Sequence, residues 1–224
     1  MAKAKQPQPP AAQPAKPLNW PAIPPPTRPL VLEHLAPGIA VLDGFFPPAV
    51  RKSFLAFVNQ SITLNKPTAP RRGEAARTNE RISFPNEEGF AKRLWEDSGL
   101  AKACEGLEGR AGKKACGLNP NIRLYKYPEG SYFGPHYDDD CRVGGATSEW
   151  TLLIYLTGKE DGVVGGETAF YPSPSRKDNG PAFVPELIAG RALLHRHGQA
   201  CSLHEGRTVE KGEKWVLRSD VMFR

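Results

Sequence analysis

An α+β fold is predicted, with a β-sandwich or jelly-roll body, because helical patterning gives way to strand patterning near Asn121. Upstream, apolar residues recur at helical spacing in two segments. Downstream, short runs rich in β-branched and aromatic residues are separated by glycine and charged turns. The 224 residues suffice for one folded unit with a full core, or for one unit plus an appendage.

Residues 1–29 contain ten prolines and too few apolar residues to build a core. They read as a disordered or polyproline II tail, of the kind that docks onto proline-reading modules or simply stays solvated. Globular patterning starts near Val31, so 30–224 is expected to be one folded unit. Its first part, 30–120, reads as an N-terminal helical support with a lid loop, and 121–224 as the jelly-roll core.

In the support, "PPAVRKSFLAFVNQSI" has proline in its first turn and Val50, Phe54, Leu55 and Val58 on one face, the pattern of an amphipathic helix. A second helix is predicted in "EEGFAKRLWEDSGLAKACEGL", with Phe90, Leu94 and Trp95 on one face and a break at Gly99. Between them, "NKPTAPRRGEAARTNERISF" is long, polar and basic, as expected of a lid or binding loop. In the core, "NIRLYKY", "TLLIYL", "GETAFY", "ALLHRH", "CSLH" and "KWVLRSDVMF" read as strands. No internal repeat is visible.

The net charge of +6 is unevenly placed: Lys3, Lys5, Lys16 and Arg28 give the first 30 residues +4, leaving +2 for the remainder. A broad phosphate-binding face is therefore not expected, and nucleic acid is disfavoured as a partner. No apolar run approaches the roughly 18 residues of a membrane span, and the first residues lack an apolar signal core. The expectation is a cytoplasmic, or nuclear, protein without a membrane partner.

The segment "GPHYDDD" places a histidine and three aspartates within five positions, 136–140. Residues two apart on a strand share a face, roughly 6.5–7 Å apart, so His136 and Asp138 could reach one metal ion. Alone, such a pair is better read as a solvated turn. Two histidines and a carboxylate leave three positions of an octahedron open, the arrangement of non-haem Fe(II) oxygenases. The third ligand would come from His195, His197 or His204. None of the four cysteines forms a C-x-x-C pair; free thiols are expected, with Cys141 and Cys201 near the site.

"YKYPEGSYFGPHYD", "TLLIYL", "GGETAFY" and "HEGRTVEKGEKWVLRSDVMF", in this order, resemble the Fe(II)- and 2-oxoglutarate-dependent dioxygenases of the prolyl 4-hydroxylase-like group. The resemblance spans about residues 121–224, with a weaker echo in "RTNERISF". It implies a double-stranded β-helix with flanking N-terminal helices. It implies Fe(II), 2-oxoglutarate as co-substrate, O2, and ascorbate as an auxiliary reductant. The implied ligands are His136, Asp138 and His204, since only His204 precedes the pattern Gly206, Val209, Gly212, Lys214, Trp215. His195 and His197 then become supporting or buried structural residues. Asp139 and Asp140 become solvated or loop-bonded.

The family's co-substrate lysine, ten residues after the distal histidine, falls on Lys214. Some relatives use arginine, which makes Arg218 the alternative. Four strand residues span roughly 13 Å, so one carboxylate cannot easily engage both; Lys214 is favoured, and an ion pair with Asp220 is the other role for Arg218. The tyrosine nine residues before His136 is Tyr127, with Tyr155 as a second co-substrate contact. Gly165 and Gly166 suit a tight turn. Asn79 and Arg81, in the lid loop, are the candidate substrate contacts.

The implied reaction couples decarboxylation of 2-oxoglutarate to hydroxylation of an unactivated C–H bond, without a side-chain base. Peptidyl proline is the first candidate substrate and a small metabolite the second. A nucleic-acid demethylase would need a basic groove, and a non-catalytic cupin-like module would not need the full ligand set.

Overall fold

The computed structural model of the chain describes residues 18–70, 72–171 and 183–224. In chain order the strands and helices are β1 (Leu32–Ala36), β2 (Ile39–Leu42), α1 (Pro48–Ser61), β3 (Glu80–Phe84), α2 (Glu88–Glu96) and α3 (Leu100–Ala103). There follow β4 (Ala115–Leu118), β5 (Ile122–Tyr127), β6 (Phe133–His136), β7 (Arg142–Val143), β8 (Ala146–Tyr155), β9 (Val164–Gly165) and β10 (Thr168–Tyr171). The chain ends with β11 (Ala192–Arg196), β12 (Leu203–Gly206), β13 (Val209–Lys211) and β14 (Lys214–Phe223).

A nine-stranded major sheet runs β1-β2-β11-β8-β14-β5-β3, with β4 and β7 added on β14 and β8. A minor sheet has the order β10-β12-β6, and β13 pairs with β9 as a short ribbon. Strand alternation gives the major sheet two apolar faces. Ala40, Leu42, Leu152, Ile154, Leu194 and Leu217 pack with Phe54, Val58, Phe90 and Leu94 of α1 and α2. Their alternates Ile39, Val41, Tyr155, Leu193 and Val216 pack with Phe170 of the minor sheet. The long central strands are therefore buried on both faces, which is why they read as nearly continuous apolar runs. This is a mostly β architecture of jelly-roll type, with few helices.

The 30–120 segment is less helical than expected. β1 and β2 form a hairpin that extends the major sheet through β11. The end of the supposed lid loop, Glu80–Phe84, is the edge strand β3, paired with β5. Gly99 does interrupt the second helix, with φ of 79° between α2 and α3.

The tail boundary also moves. Trp20 and Ile23 are buried, and Trp20 stacks on Phe90 at 4.2 Å and meets Phe84 edge-on at 5.5 Å. Its indole Nε1 donates to Glu87 Oε2 at 2.8 Å. Residues 18–29 thus belong to the folded unit: one large aromatic ring suffices to anchor a proline-rich segment that composition alone marks as a tail. The expected tail over 1–17 lies outside the described residues. Among the described residues, no helix is long and apolar enough to cross a membrane.

Candidate active site

Pairing of β12 with β6 sets His204 directly opposite His136. β6 ends at His136, so Asp138 lies just beyond the strand rather than within it, as simple alternation had suggested. The chain is held there by its own backbone: the Asp138 N–H points to Cys201 Sγ at 3.3 Å, and the Gly198 N–H donates to the Asp138 carbonyl at 2.8 Å. His136, Asp138 and His204 each bring one ligand atom within 4.8 Å of the others. Nε2 of His136 lies 3.7 Å from Asp138 Oδ1, and Nε2 of His204 lies 3.7 Å from Oδ2.

Backbone carbonyls fix the tautomers. His136 Nδ1 meets Gly134 O at 2.8 Å and His204 Nδ1 meets Ser202 O at 3.0 Å. A carbonyl only accepts, so Nδ1 carries the proton and Nε2 presents a lone pair to the pocket. Burial, and then the neighbouring His204, lowers the His136 pKa to about 4. Burial lowers His204 as well. Both are therefore neutral near pH 7, the form that binds a cation.

Asp138 is buried, which alone would raise its pKa, but the Arg218 guanidinium and the surrounding imidazoles outweigh this and hold it well below the usual carboxylate range. Arg218 Nη1 donates to Oδ1 at 3.1 Å, and Nη2 lies 3.0 Å from Oδ2. The Asp220 contact foreseen for Arg218 is present but longer, 3.5 Å. The pairing with Asp138 was not foreseen, because its members are 80 positions apart. Thr151, also unforeseen, donates its hydroxyl to Asp138 Oδ2 at 2.9 Å. That hydroxyl in turn accepts from His197 Nδ1 at 2.9 Å, leaving His197 Nε2 to accept from Ser148 at 2.9 Å. His197 is thus fully hydrogen-bonded away from the pocket. Phe133 stacks on His136 at 3.7 Å between ring centroids.

Alternation along β14 carries Lys214, Val216 and Arg218 to the pocket, where they join Tyr125, Tyr127, Phe133, His136, Asp138, Leu153, His195 and His204. Lys214 is 2 % exposed. Its Nζ donates to Gly166 O at 2.6 Å and lies 5.0 and 5.3 Å from the ring centres of Tyr127 and Tyr155. Among the described residues it has no ion-pair partner, and burial lowers its pKa to about 8. Gly165 and Gly166 have φ of 72° and 76°, the left-handed turn expected of them. Tyr127 lines the pocket, whereas the Tyr155 hydroxyl is engaged with Thr168 Oγ1 at 2.9 Å.

Asn79 and Arg81 do not reach this pocket. Asn79 is buried and Arg81 exposed, and both line a neighbouring polar groove of about 600 Å³ with Asn65, Lys66 and Arg77. The groove adjoins the site: Gly134 N–H donates to Ala76 O at 2.7 Å, and the Arg77 guanidinium sits over Phe133 at 5.1 Å. All four cysteines are free, with Cys201 beside Asp138 and Cys141 beside Ser148. Asp139 is exposed, and Asp140 forms an ion pair with Arg110.

Residues 122–219 match the family model of the 2OG-Fe(II) oxygenase superfamily. The matched stretch, somewhat under half of the chain, is similar to the 2OG-Fe(II) oxygenases. The match points to an enzyme whose cofactor is Fe(II) and whose co-substrates are 2-oxoglutarate and O2. Its donor set, two neutral imidazoles and an ionised carboxylate, has the composition that such iron sites use. The fold resembles that of a viral collagen prolyl hydroxylase from Paramecium Bursaria Chlorella virus-1, solved with 2-oxoglutarate, at TM-score 0.51 and 22% identity over 83% of this chain and 96% of that one. It also resembles a prolyl-4-hydroxylase from Pseudomonas putida, at TM-score 0.54 and 14% identity over 84% and 93%. A prolyl hydroxylase from Trichoplax adhaerens, solved with a hypoxia inducible factor peptide, aligns at TM-score 0.57 and 18% identity over 82% and 83%. No curated protein sequence matches the chain.

Proposed function

We propose that this oxygenase hydroxylates a peptidyl proline, holding Fe(II) with His136, Asp138 and His204 and the far carboxylate of 2-oxoglutarate with Lys214. The observation that carries the reading is Lys214: a buried ammonium with no acidic partner among the described residues, in the same pocket as the three donors. Burying a cation unpaired is costly. A dicarboxylate chelating at the metal end would supply the missing charge at the other end.

Bound Fe(II) with 2-oxoglutarate supplies the oxidising chemistry. The chain's own work is positional. Gly134 and Ser202 carbonyls hold the two imidazoles in the ligand tautomer. Arg218 and Thr151 keep Asp138 ionised and aimed. Tyr127 lies over the Lys214 ammonium and lines the co-substrate end. Arg218 is committed to Asp138, which supports Lys214 over Arg218 as the co-substrate anchor. The polar groove beside β6, about 600 Å³ and lined by Asn79, Arg81 and Arg77, offers room next to the site for more than a small metabolite and so supports a peptide.

The test is succinate production from 2-oxoglutarate with Fe(II), with and without proline-containing peptides, free proline and small acids. His136→Ala, Asp138→Ala and His204→Ala are expected to abolish turnover, while His197→Ala retains Fe(II) binding. If a small acid couples and no peptide does, the peptide reading falls and the oxygenase stands. Retained turnover in His204→Ala would overturn the ligand assignment.

A further inference from the structure

His195 lines the pocket, yet it has no part in the triad. It sits on β11 opposite Thr151 and, by alternation, shares the pocket face with Leu193. It is 1 % exposed. Its Nδ1 lies 3.1 Å from the Arg196 carbonyl, so Nδ1 carries the proton and Nε2 the lone pair. That Nε2 is buried and, among the described residues, without a hydrogen-bond partner.

The direction of the lone pair is informative. His195 Nε2 lies 3.7 Å from Asp138 Oδ2, the separation that His136 and His204 also show from the same carboxylate. A donor atom of His195 falls within 4.8 Å of one of His204 and of Cys201 Sγ, a cluster that shares His204 with the triad, and the His195 and His204 ring centres are 4.5 Å apart. All three rings are wired alike, with Nδ1–H on a backbone carbonyl and Nε2 facing Asp138. Lacking a proton on Nε2, His195 cannot donate to Asp138. Arg218 Nε, also unpartnered, makes no hydrogen bond with it. A ring that only filled space would be better served by phenylalanine, which has no nitrogen to strand. What suits a buried lone pair turned toward a carboxylate is a metal cation.

We propose that His195 is a fourth protein ligand: without 2-oxoglutarate its Nε2 joins His136, Asp138 and His204 on the metal, and 2-oxoglutarate displaces it on binding. The proposal rests on the triad reading above. It makes the site a three-histidine, one-carboxylate centre until the co-substrate arrives. One open position is then closed to O2 in the resting enzyme.

Co(II) binding to the whole chain tests this without turnover. Each imidazole bound through Nε2 leaves one Nδ1–H close to the paramagnetic ion, visible as a strongly shifted, solvent-exchangeable proton resonance. Wild type is expected to show three such resonances, falling to two at saturating 2-oxoglutarate. His195→Phe should show two in both conditions. It should also bind Co(II) at least about tenfold more weakly, the low end of what disturbing even an outer partner costs, with the difference vanishing when 2-oxoglutarate is present. Two resonances in wild type throughout, with Co(II) bound, would overturn the proposal and leave the triad intact. A His204→Phe chain that binds Co(II) as tightly as wild type would overturn the triad itself, and the proposal with it. The wild-type comparison with and without 2-oxoglutarate stands even if a variant fails to fold.

Discussion

Arg218 grips both carboxylate oxygens of Asp138, 80 positions away, at 3.1 and 3.0 Å. A guanidinium matches a carboxylate in this two-pronged way better than any other side chain. The pair explains how a carboxylate survives ionised in a buried pocket before any metal arrives.

Removing that cation should therefore strand a charge. Arg218→Met is expected to destabilise the metal-free chain by ~3–5 kcal/mol, the usual cost of breaking a buried pair. Adding Co(II) should recover much of the loss, because the ion supplies the missing positive charge. The check is urea denaturation with and without Co(II); equal losses in both conditions would mean that Arg218 acts through packing alone.

Lys214 gives a pH prediction. Its pKa is about 8 in the folded chain, against an ordinary 10.5, because burial disfavours the charge. The ammonium is present below pH 8 and lost above it, so affinity for 2-oxoglutarate should be full near pH 7. It should fall roughly tenfold per pH unit well above 8. The apo chain should behave oppositely: between 8 and 10.5 the unfolded state holds the extra proton, so this residue's contribution to stability rises with pH. Lys214→Ala should raise the KM for 2-oxoglutarate on the order of 30-fold at pH 7. A wild-type KM that is flat from pH 7 to 9.5 would remove Lys214 as the anchor.

Gly166 tests the support behind that lysine. A Cβ there would come within 2.9 Å of Val209 Cγ2 and 3.4 Å of Lys214 Cδ, at a φ of +76°. Gly166→Ala should cost ~1–3 kcal/mol in stability from backbone strain. It should also raise the KM for 2-oxoglutarate, since Gly166 carries the carbonyl that Lys214 holds. A variant with altered melting temperature and unchanged KM would show that the turn does not position the lysine.

Trp20 tests the folded boundary. Trp20→Ala should lower stability by ~3–5 kcal/mol, as large aromatic truncations in cores do. Deleting residues 1–28 should cost at least as much, because it removes Ile23 as well. Unchanged urea midpoints would return residues 18–29 to the tail.

What could be read in advance follows physical range. β8, β11 and β14 were legible because each is buried on both faces and spells a nearly continuous apolar run. His136 and Asp138 were legible as candidates because they are neighbours, and Lys214 only through the resemblance, whose pattern puts a lysine ten residues after the distal histidine. Trp20 was hidden by the prolines around it, and β3 by the basic loop it closes. The partner of Arg218 could not be read, since the pairing depends on how β14 and the residues after β6 meet in space. His195 lay in plain view within "ALLHRH", but local sequence does not say where a lone pair points.

β14 acts as a ruler. All ten of its residues are buried, and its even positions set Lys214 and Arg218 four residues apart along one face, about 13 Å of strand. If Lys214 holds the co-substrate as proposed, its reach is written into backbone geometry, and a slip of one residue would turn both cations into the opposite core. The groove around Asn79 and Arg77 belongs to a different part of the chain altogether. On the proposed reading, recognition and oxidation are thus encoded in separate segments, and a designer seeking a new substrate should mutate the loop and leave the ruler alone.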